Sequence, residues 1–399
     1  MPTTQELLKL EDEYGARNYL PLPVVLSKGD GIWVEDLEGN RYLDCLSAYS
    51  ALNHGHAHPR LLAALQAQAG ALSLTSRAFC NDQLGLFCKE LAELTGMDRV
   101  LPMNTGAEAV ETAIKAARRW GYRVKGIAEG RARIVVCEGN FHGRTTTIIS
   151  FSSEDSYRDG FGPFTPGFDI VPYGDIGALE QAITDETCAL LLEPIQGEAG
   201  VVVPPEGYLA AARKLCDERK ALLIADEIQT GLGRTGTLLC CEHEGVRADA
   251  YLLGKALGGG LYPISAVAAR SEVLEVFEPG SHGSTFGGNP LGCAVAREAL
   301  KILVEDRLAE RAVELGEYFV ERLRAIGSPH VDHVRGKGLL IGVVLKASAG
   351  GARRFCEALM TEGLLCKETH ENVIRFAPPL VIEKADIDWA MPRIEKVLK

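Results

Sequence analysis

Five short apolar runs restrict the fold more than any other feature of the chain: Arg133–Cys137, Cys188–Leu192, Ala221–Ala225, Ala250–Leu253 and Ile264–Ala268. Apolar side chains at both odd and even positions leave no face for water, so each run must be covered on both sides. Between and around them, helical spacing marks Pro59–Ala69, Asn81–Thr95, Ala107–Tyr122, Tyr208–Arg219 and Pro290–Ile326. Strands alternating with helices predict an α/β fold, with a mostly parallel central sheet, right-handed crossovers and flanking helices. After Ile326 the pattern changes to Gly338–Lys346, a helix around Ala352–Glu362, a strand at Val373–Phe376 and a terminal helix, which predicts a smaller α+β domain. Near the start, Gly31–Val34 and Arg41–Asp44 flank Asp36–Asn40 as a β-hairpin. The expected division is 1–55 as an N-terminal segment packing with the small domain, 56–290 as the large domain and 291–399 as the small one.

Charge narrows the partners. With 42 basic and 54 acidic residues the net charge is −12, which argues against nucleic acid or an anionic membrane, because phosphate binding needs a basic face. No segment approaches the ~18 unbroken apolar residues of a membrane span, and Met1–Glu6 lacks the basic start of a signal peptide. The expected location is the cytoplasm. Eleven scattered cysteines without a C-x-x-C suit reduced, mostly buried thiols better than a disulfide framework. The triplet His54-Gly55-His56-Ala57-His58 has no acidic or cysteine companion in the sequence and precedes a helix start at Pro59, so no metal site is expected there.

Three places carry chemistry. Leu222–Ala225 is an apolar strand that ends in Asp226, and open α/β sheets bind ligands at the carboxyl ends of their strands. Tyr251-Leu252-Leu253-Gly254-Lys255 ends another run in a lysine followed by glycines, where partial desolvation favours a neutral, nucleophilic amine. Taken singly, Asp226 is a cap or loop acid and Lys255 a solvated amine; together they suit a pyridoxal phosphate site, which needs a Schiff-base lysine and an acid at the pyridine nitrogen. Thr105, Gly106 and Ala107 open a helical stretch, where free backbone N–H groups suit a phosphate, although Thr105 and Glu108 also read as a plain capping box. Gly231-Leu232-Gly233-Arg234-Thr235-Gly236 fits G-x-G-x-x-G but neither follows a strand directly nor opens a helix, so it is not read as a dinucleotide site.

These motifs, with Phe141-His142-Gly143-Arg144-Thr145 and Gly283–Pro290, resemble the class III pyridoxal-phosphate aminotransferases over nearly the whole chain. Within that class, Tyr49–Asn53, Ser76–Phe79, Gly197–Val203, Leu261–Pro263 and Ile374–Pro379 are most similar to the branch acting on the δ-amine of ornithine. The resemblance implies a fold-type I large domain, pyridoxal 5'-phosphate as cofactor, and a homodimer with a composite site. It implies Lys255 as Schiff-base lysine and proton carrier, and Asp226 at the pyridine nitrogen. Phe141 would stack on the ring, Gln229 would meet its phenolic oxygen, and Thr105, Gly106 and Ala107 would hold the phosphate. Thr285 would reach the phosphate of the partner subunit's site, with Ser284 beside it.

For substrates, the resemblance assigns carboxylate binding to Arg144 and Arg375, a gating role to Glu198, which would pair with Arg375 during the ornithine half-reaction, and ornithine's α-carboxylate to Tyr49. The expected reaction moves the δ-amino group of L-ornithine to 2-oxoglutarate. Cys80, where that branch has a tyrosine, and His142, where it has a tryptophan, depart from its pattern. Acetylornithine, 4-aminobutyrate or lysine as donor, and racemisation on the same framework, are the competing readings.

Overall fold

The structure, a computed structural model, describes residues 2–399. The chain opens with a helix and three antiparallel strands, β1 (Leu26–Asp30), β2 (Trp33–Asp36) and β3 (Arg41–Asp44). The hairpin expected at 31–44 therefore gains a strand on its outer side. Two helices, Pro59–Ala71 and Leu84–Thr95, lead into the large sheet. Its strands are β4 (Arg99–Met103), β5 (Arg133–Cys137), β6 (Phe168–Val171), β7 (Thr187–Leu192), β8 (Leu222–Asp226), β9 (Ala250–Leu253) and β10 (Ser265–Ala269). Among the described residues they order as β4-β10-β9-β8-β7-β5-β6.

From β9 through β8, β7 and β5 to β6 all pairings are parallel, whereas β10 runs antiparallel to β9 and β4. The connection Gly254–Ile264 holds a short 3-10 turn rather than a crossover helix, and a short return of that kind brings the chain back antiparallel. β4 and β6, which the apolar pattern does not mark, are the sheet's edges. Each is only partly buried, and β4 contains Pro102, which edge strands tolerate. The inner strands divide their side chains between two cores, one on each face: in β8, Leu223 and Ala225 join one cluster and Leu222 and Ile224 the other.

The periodic stretch 290–326 is two helices, Pro290–Glu305 and Leu308–Ala325. They part at Arg307, whose φ of +51° no helix accepts, a break that periodicity cannot register. The remaining strands are β11 (Val331–Lys337), β12 (Leu340–Leu345), β13 (Leu364–Leu365), β14 (Lys367–Thr369) and β15 (Val373–Phe376). A second sheet orders as β11-β12-β15-β14, while β13 joins β3 in parallel, Leu364 opposite Leu43.

The glycine-rich loop at 231–236 has a structural task. Fully buried Arg234 donates to Asn53 Oδ1 at 2.6 Å and to the carbonyls of Leu339 and Pro378 at 2.9 and 2.6 Å, tying three distant segments together. The three histidines of 54–58 diverge: His54 Nε2 lies 2.9 Å from the Ala299 carbonyl, His56 bonds Asp44, and His58 precedes the helix at Pro59. Nine cysteines are buried, Cys88 is partly covered and Cys80 is exposed; all are unpaired among the described residues. Among those residues no helix is long and apolar enough to cross a membrane.

Candidate active site

Three neighbouring parallel strands end at one cavity. β8 ends in Asp226, β7 is followed at once by Glu193, and β9 by Gly254 and Lys255. The cavity, about 220 Å³, is also lined by Gly106, Ala107, Phe141, His142, Glu198 and Gln229. It sits at the carboxyl ends of the strands, where parallel β-strands meet the amino ends of the following elements.

Asp226 is 4% exposed and has two partners: its Oδ2 lies 2.7 Å from His142 Nδ1, and its Oδ1 accepts the Ile228 N–H at 3.1 Å. Burial disfavours a charged His142, but the hydrogen bond and charge of Asp226 outweigh it and raise the imidazole's pKa. The ring's other nitrogen is buried and without a partner among the described residues. The histidine that replaces the expected tryptophan is thus the aspartate's direct neighbour.

Lys255 starts its turn with a φ of +44°, a left-handed conformation that a side chain adopts only when its surroundings compel it. Burial pushes its ammonium below the ordinary lysine pKa, with Glu198, Asp226 and Glu193 pulling the other way. Glu193 accepts the Phe141 N–H at 2.8 Å, and burial raises its pKa to about 7. Sequence reasoning passed over Glu193, although it obeys the rule that found Asp226: an apolar strand, Thr187–Leu192, ending in an acid.

One end of the helix Gly106–Trp120 reaches the cavity. Thr105 caps it, its Oγ1 accepting from the Glu108 N–H at 3.2 Å while Glu108 reaches back to the Thr105 N–H. Gly106 and Ala107 line the cavity; among the described residues lining it, Thr105 is not one. A Cβ at Gly106 would come 3.0 Å from the Ile228 side chain, which would have to give way slightly. Phe141 lines the same space, edge-on to Tyr157 at 6.2 Å between ring centroids. Arg144 is exposed and outside that lining, its guanidinium 3.4 Å above the Tyr157 ring and 5.5 Å from Phe141.

Glu198 of the lining connects the cavity to residues that lie outside that lining, Arg375 and Tyr49. Arg375, 1% exposed on β15, donates through Nη1 to Glu198 at 2.5 Å, leaving buried Nε and Nη2 without partners among the described residues. Burial would raise the Glu198 pKa, but Arg375 and Lys255 lower it to about 2. Gln229 donates to Glu198 at 3.1 Å, and its own Oε1 is buried and unpartnered among the described residues. Thr369 donates to the Glu198 carbonyl at 2.5 Å and Arg335 to that of Gly200 at 2.8 Å, which holds the loop in place.

Tyr49, 5.1 Å from Arg375, sits in an unusual turn: Ser47, Ala48, Tyr49 and Ser50 all have φ between +46° and +72°. Left-handed backbone costs L-residues about 1–2 kcal/mol each. Asp44 holds the turn's entrance, accepting from the Leu46 and Ser47 N–H groups at 2.9 and 2.8 Å, and His56 braces Asp44 at 2.8 Å. Ser284 and Thr285 stand apart from the cavity lining: Ser284 bonds Asn104, and Thr285 is exposed.

The site thus joins a partly buried amine of lowered pKa, a buried aspartate, a phenylalanine lining the same cavity, a glycine-led helix start and, beside it, a buried arginine. Those features fit pyridoxal phosphate: the helix start at Gly106 and Ala107 suits its phosphate, and Lys255 and Asp226, on the same cavity, suit its aldehyde and its ring nitrogen.

Comparison with known proteins agrees. A model of the family Aminotransferase class-III matches residues 14–398. The chain is 60% identical over 397 residues to an ornithine aminotransferase of Geobacillus sp. (strain WCH70), covering 100% of this chain and 99% of that one. A structure of the ornithine aminotransferase of Toxoplasma gondii, with PLP at partial occupancy in its active site, superposes with a TM-score of 0.98 at 48% identity, covering 99% and 94% of the two chains. An acetylornithine aminotransferase of Elizabethkingia anophelis superposes with a TM-score of 0.90 at 47% identity, covering 100% and 99%.

Proposed function

The chain belongs to the class III aminotransferase family, and on that premise we propose that it transfers the δ-amino group of L-ornithine to 2-oxoglutarate, giving glutamate 5-semialdehyde and L-glutamate. It is a pyridoxal-phosphate enzyme. The cofactor, when bound, supplies an aldehyde that captures the amine and a ring that takes up the electrons of the broken C–H bond.

The protein's own groups do the rest. Lys255, whose ammonium is disfavoured by burial, binds the cofactor and carries the proton off the substrate carbon. Asp226, fixed by His142 and the Ile228 N–H, would keep a proton on the ring nitrogen. Phe141, anchored through Glu193, would cover one ring face, Gln229 would meet the phenolic oxygen, and the Gly106 and Ala107 amides, with Thr105 behind them, would hold the phosphate.

Substrate choice rests on the Glu198–Arg375 pair. With Glu198 in place the arginine is closed to an α-carboxylate, so an amino acid must present another amine; Tyr49, beside the pair, would take ornithine's α-carboxylate. When Glu198 withdraws, Arg375 offers a planar fork to the α-carboxylate of 2-oxoglutarate or glutamate. Arg144, exposed over the Tyr157 ring, would receive the second carboxylate. The relatives named for ornithine support this donor. The acetylornithine neighbour and Cys80 keep a second ω-amine in view.

A homodimer completes the site in this reading, with Thr285 of each copy, beside Ser284, reaching the phosphate of the other. The exposed apolar side chains Tyr19, Leu20, Phe79 and Phe286 support a surface covered by a second copy. The three-part division 1–55, 56–290 and 291–399 is likewise proposed, supported by the pairing of β13 with β3. A cytoplasmic location suits the unpaired thiols.

The test is a half-reaction: excess L-ornithine is added to the holoenzyme without acceptor, the cofactor absorbance is followed and the products are separated. Conversion to the pyridoxamine form with glutamate semialdehyde is expected. No response to ornithine, with a response to acetylornithine or 4-aminobutyrate, would overturn the donor; D-ornithine accumulating without conversion would overturn transamination.

A further inference from the structure

The segment from Glu278 to Asn289 lies along the helix Gly106–Trp120 as an arm fastened at several points. Glu278 pairs with Arg119 at 2.9 Å and with Arg123 just past the helix. Lys115 reaches the Ser281 carbonyl at 3.4 Å and His282 Nδ1 at 2.9 Å. His282 Nε2 lies 2.9 Å from Thr112 Oγ1, and Ser284 Oγ accepts from Asn104 Nδ2 at 2.9 Å. Along the arm, the helix partners descend toward the end where Gly106 and Ala107 line the cavity. Gly287 then turns the chain back, where a Cβ would come 2.8 Å from the Pro102 carbonyl, and Asn289 caps the next helix. Thr285 and Phe286 are left exposed at the tip.

Exposed ion pairs such as those of Glu278 contribute little. His282 is different, because each of its bonds requires one particular form of the ring. The Lys115 ammonium has only hydrogens to give, so Nδ1 must accept and the ring proton must sit on Nε2. Nε2 then donates to Thr112 Oγ1, whose own hydrogen goes to the Glu108 carbonyl at 2.7 Å. Phe277 stacks on the ring at 5.0 Å and 18°. A neutral imidazole in one tautomer therefore joins the arm to a hydroxyl in the body of the helix.

We infer that His282 is a positioning residue for the cofactor phosphate: it bolts the Ser284–Thr285 arm to the helix that forms the phosphate cup, so that Thr285 is presented in a fixed place to the second copy of the chain. The inference rests on the composite site proposed above. It also means that one helix sets both a protomer's own cup and the hydroxyl it lends.

The experiment is cofactor release. Holoenzyme is dialysed against inorganic phosphate and bound cofactor is followed by its absorbance. His282→Ala should speed release about tenfold, the worth of a polar bond of about 1.4 kcal/mol, with the KM for ornithine unchanged. His282→Gln, whose amide offers one acceptor and one donor, should restore release to within about twofold. Thr112→Val, a milder change that serves if His282→Ala fails to assemble, should speed it about threefold. In mixed dimers with Lys255→Ala in one subunit, His282→Ala should act when placed in that subunit and not when placed beside the intact Lys255. Acceleration from the same subunit, or none from His282→Ala and Thr112→Val, overturns the inference. If Thr285→Ala leaves release unchanged, the composite-site reading itself fails; if Thr285→Ala accelerates it and His282→Ala does not, only the inference fails.

Discussion

The strand ends at the cavity and the Glu198–Arg375–Tyr49 group beside it are built by different means. On the sheet side, Glu193, Asp226 and Lys255 follow the ends of three adjacent parallel strands whose own residues are buried throughout. Their positions are set by the ladder, and an error of one residue would turn each side chain to the wrong face. Of the neighbouring group, Glu198 lines the cavity from a loop, while Arg375 of the second sheet and Tyr49 of a left-handed turn lie outside the lining; Asp44, Thr369 and Arg335 hold these segments. In the function proposed above, the strand ends carry the groups that act on the cofactor, and the irregular group beside them carries those that choose the substrate.

Substitutions should sort along that line. Lys255→Ala should lower turnover by about 10⁴-fold or more with either substrate, since it removes both the covalent attachment and the proton carrier; steady-state rates within tenfold of the parent would break the division. Glu198→Ala should slow the ornithine half-reaction about tenfold while sparing the glutamate half, because only the former needs Arg375 closed. Equal losses in stopped-flow measurements of the two halves would move Glu198 out of the selective group.

Glu193 sharpens the same contrast through pH. Its folded pKa, about 7, lies above the ordinary carboxyl value, so the stability that its neutral form contributes is fully present below pH about 4.5 and is lost as pH rises through 7. Melting temperatures of the parent should therefore fall across that window, and Glu193→Gln should flatten the fall; an unchanged profile would show that Glu193 is not buried as an acid. The smallest effect is expected from Asp44→Asn. It weakens the brace of the left-handed turn, costs about 1–3 kcal/mol of stability and should raise the KM for ornithine about threefold with the 2-oxoglutarate half-reaction unmoved. A uniform change in both half-reactions would make the turn a mere scaffold.

Much of this was legible in the residues and some was not, for reasons of range. The inner strands, Asp226 and Lys255 were readable because burial on both faces and an abrupt polar end are local patterns. Glu193 carries the same pattern and was passed over. The edge strands β4 and β6 are half wet and lack the continuous run. The break at Arg307 lies within unbroken helical spacing, and Arg234, in a motif shaped like a nucleotide loop, is a buried tie between distant segments.

The sequence by itself determined the alternation of elements, the carboxyl-end acid and amine, the glycine-led helix start and the family, because these depend on neighbours a few residues apart. Only the tertiary structure decided that β10 returns antiparallel, that Glu198 closes on Arg375 from 177 positions away, that Asp44 and His56 hold Tyr49 in a left-handed turn, and that His282 fastens the outward arm. Such contacts are made by side chains whose partners are chosen by how the sheets and loops close in space. Chain spacing does not encode that choice: a buried charge or a strained turn is tolerated only when the surrounding groups arrive together to satisfy it.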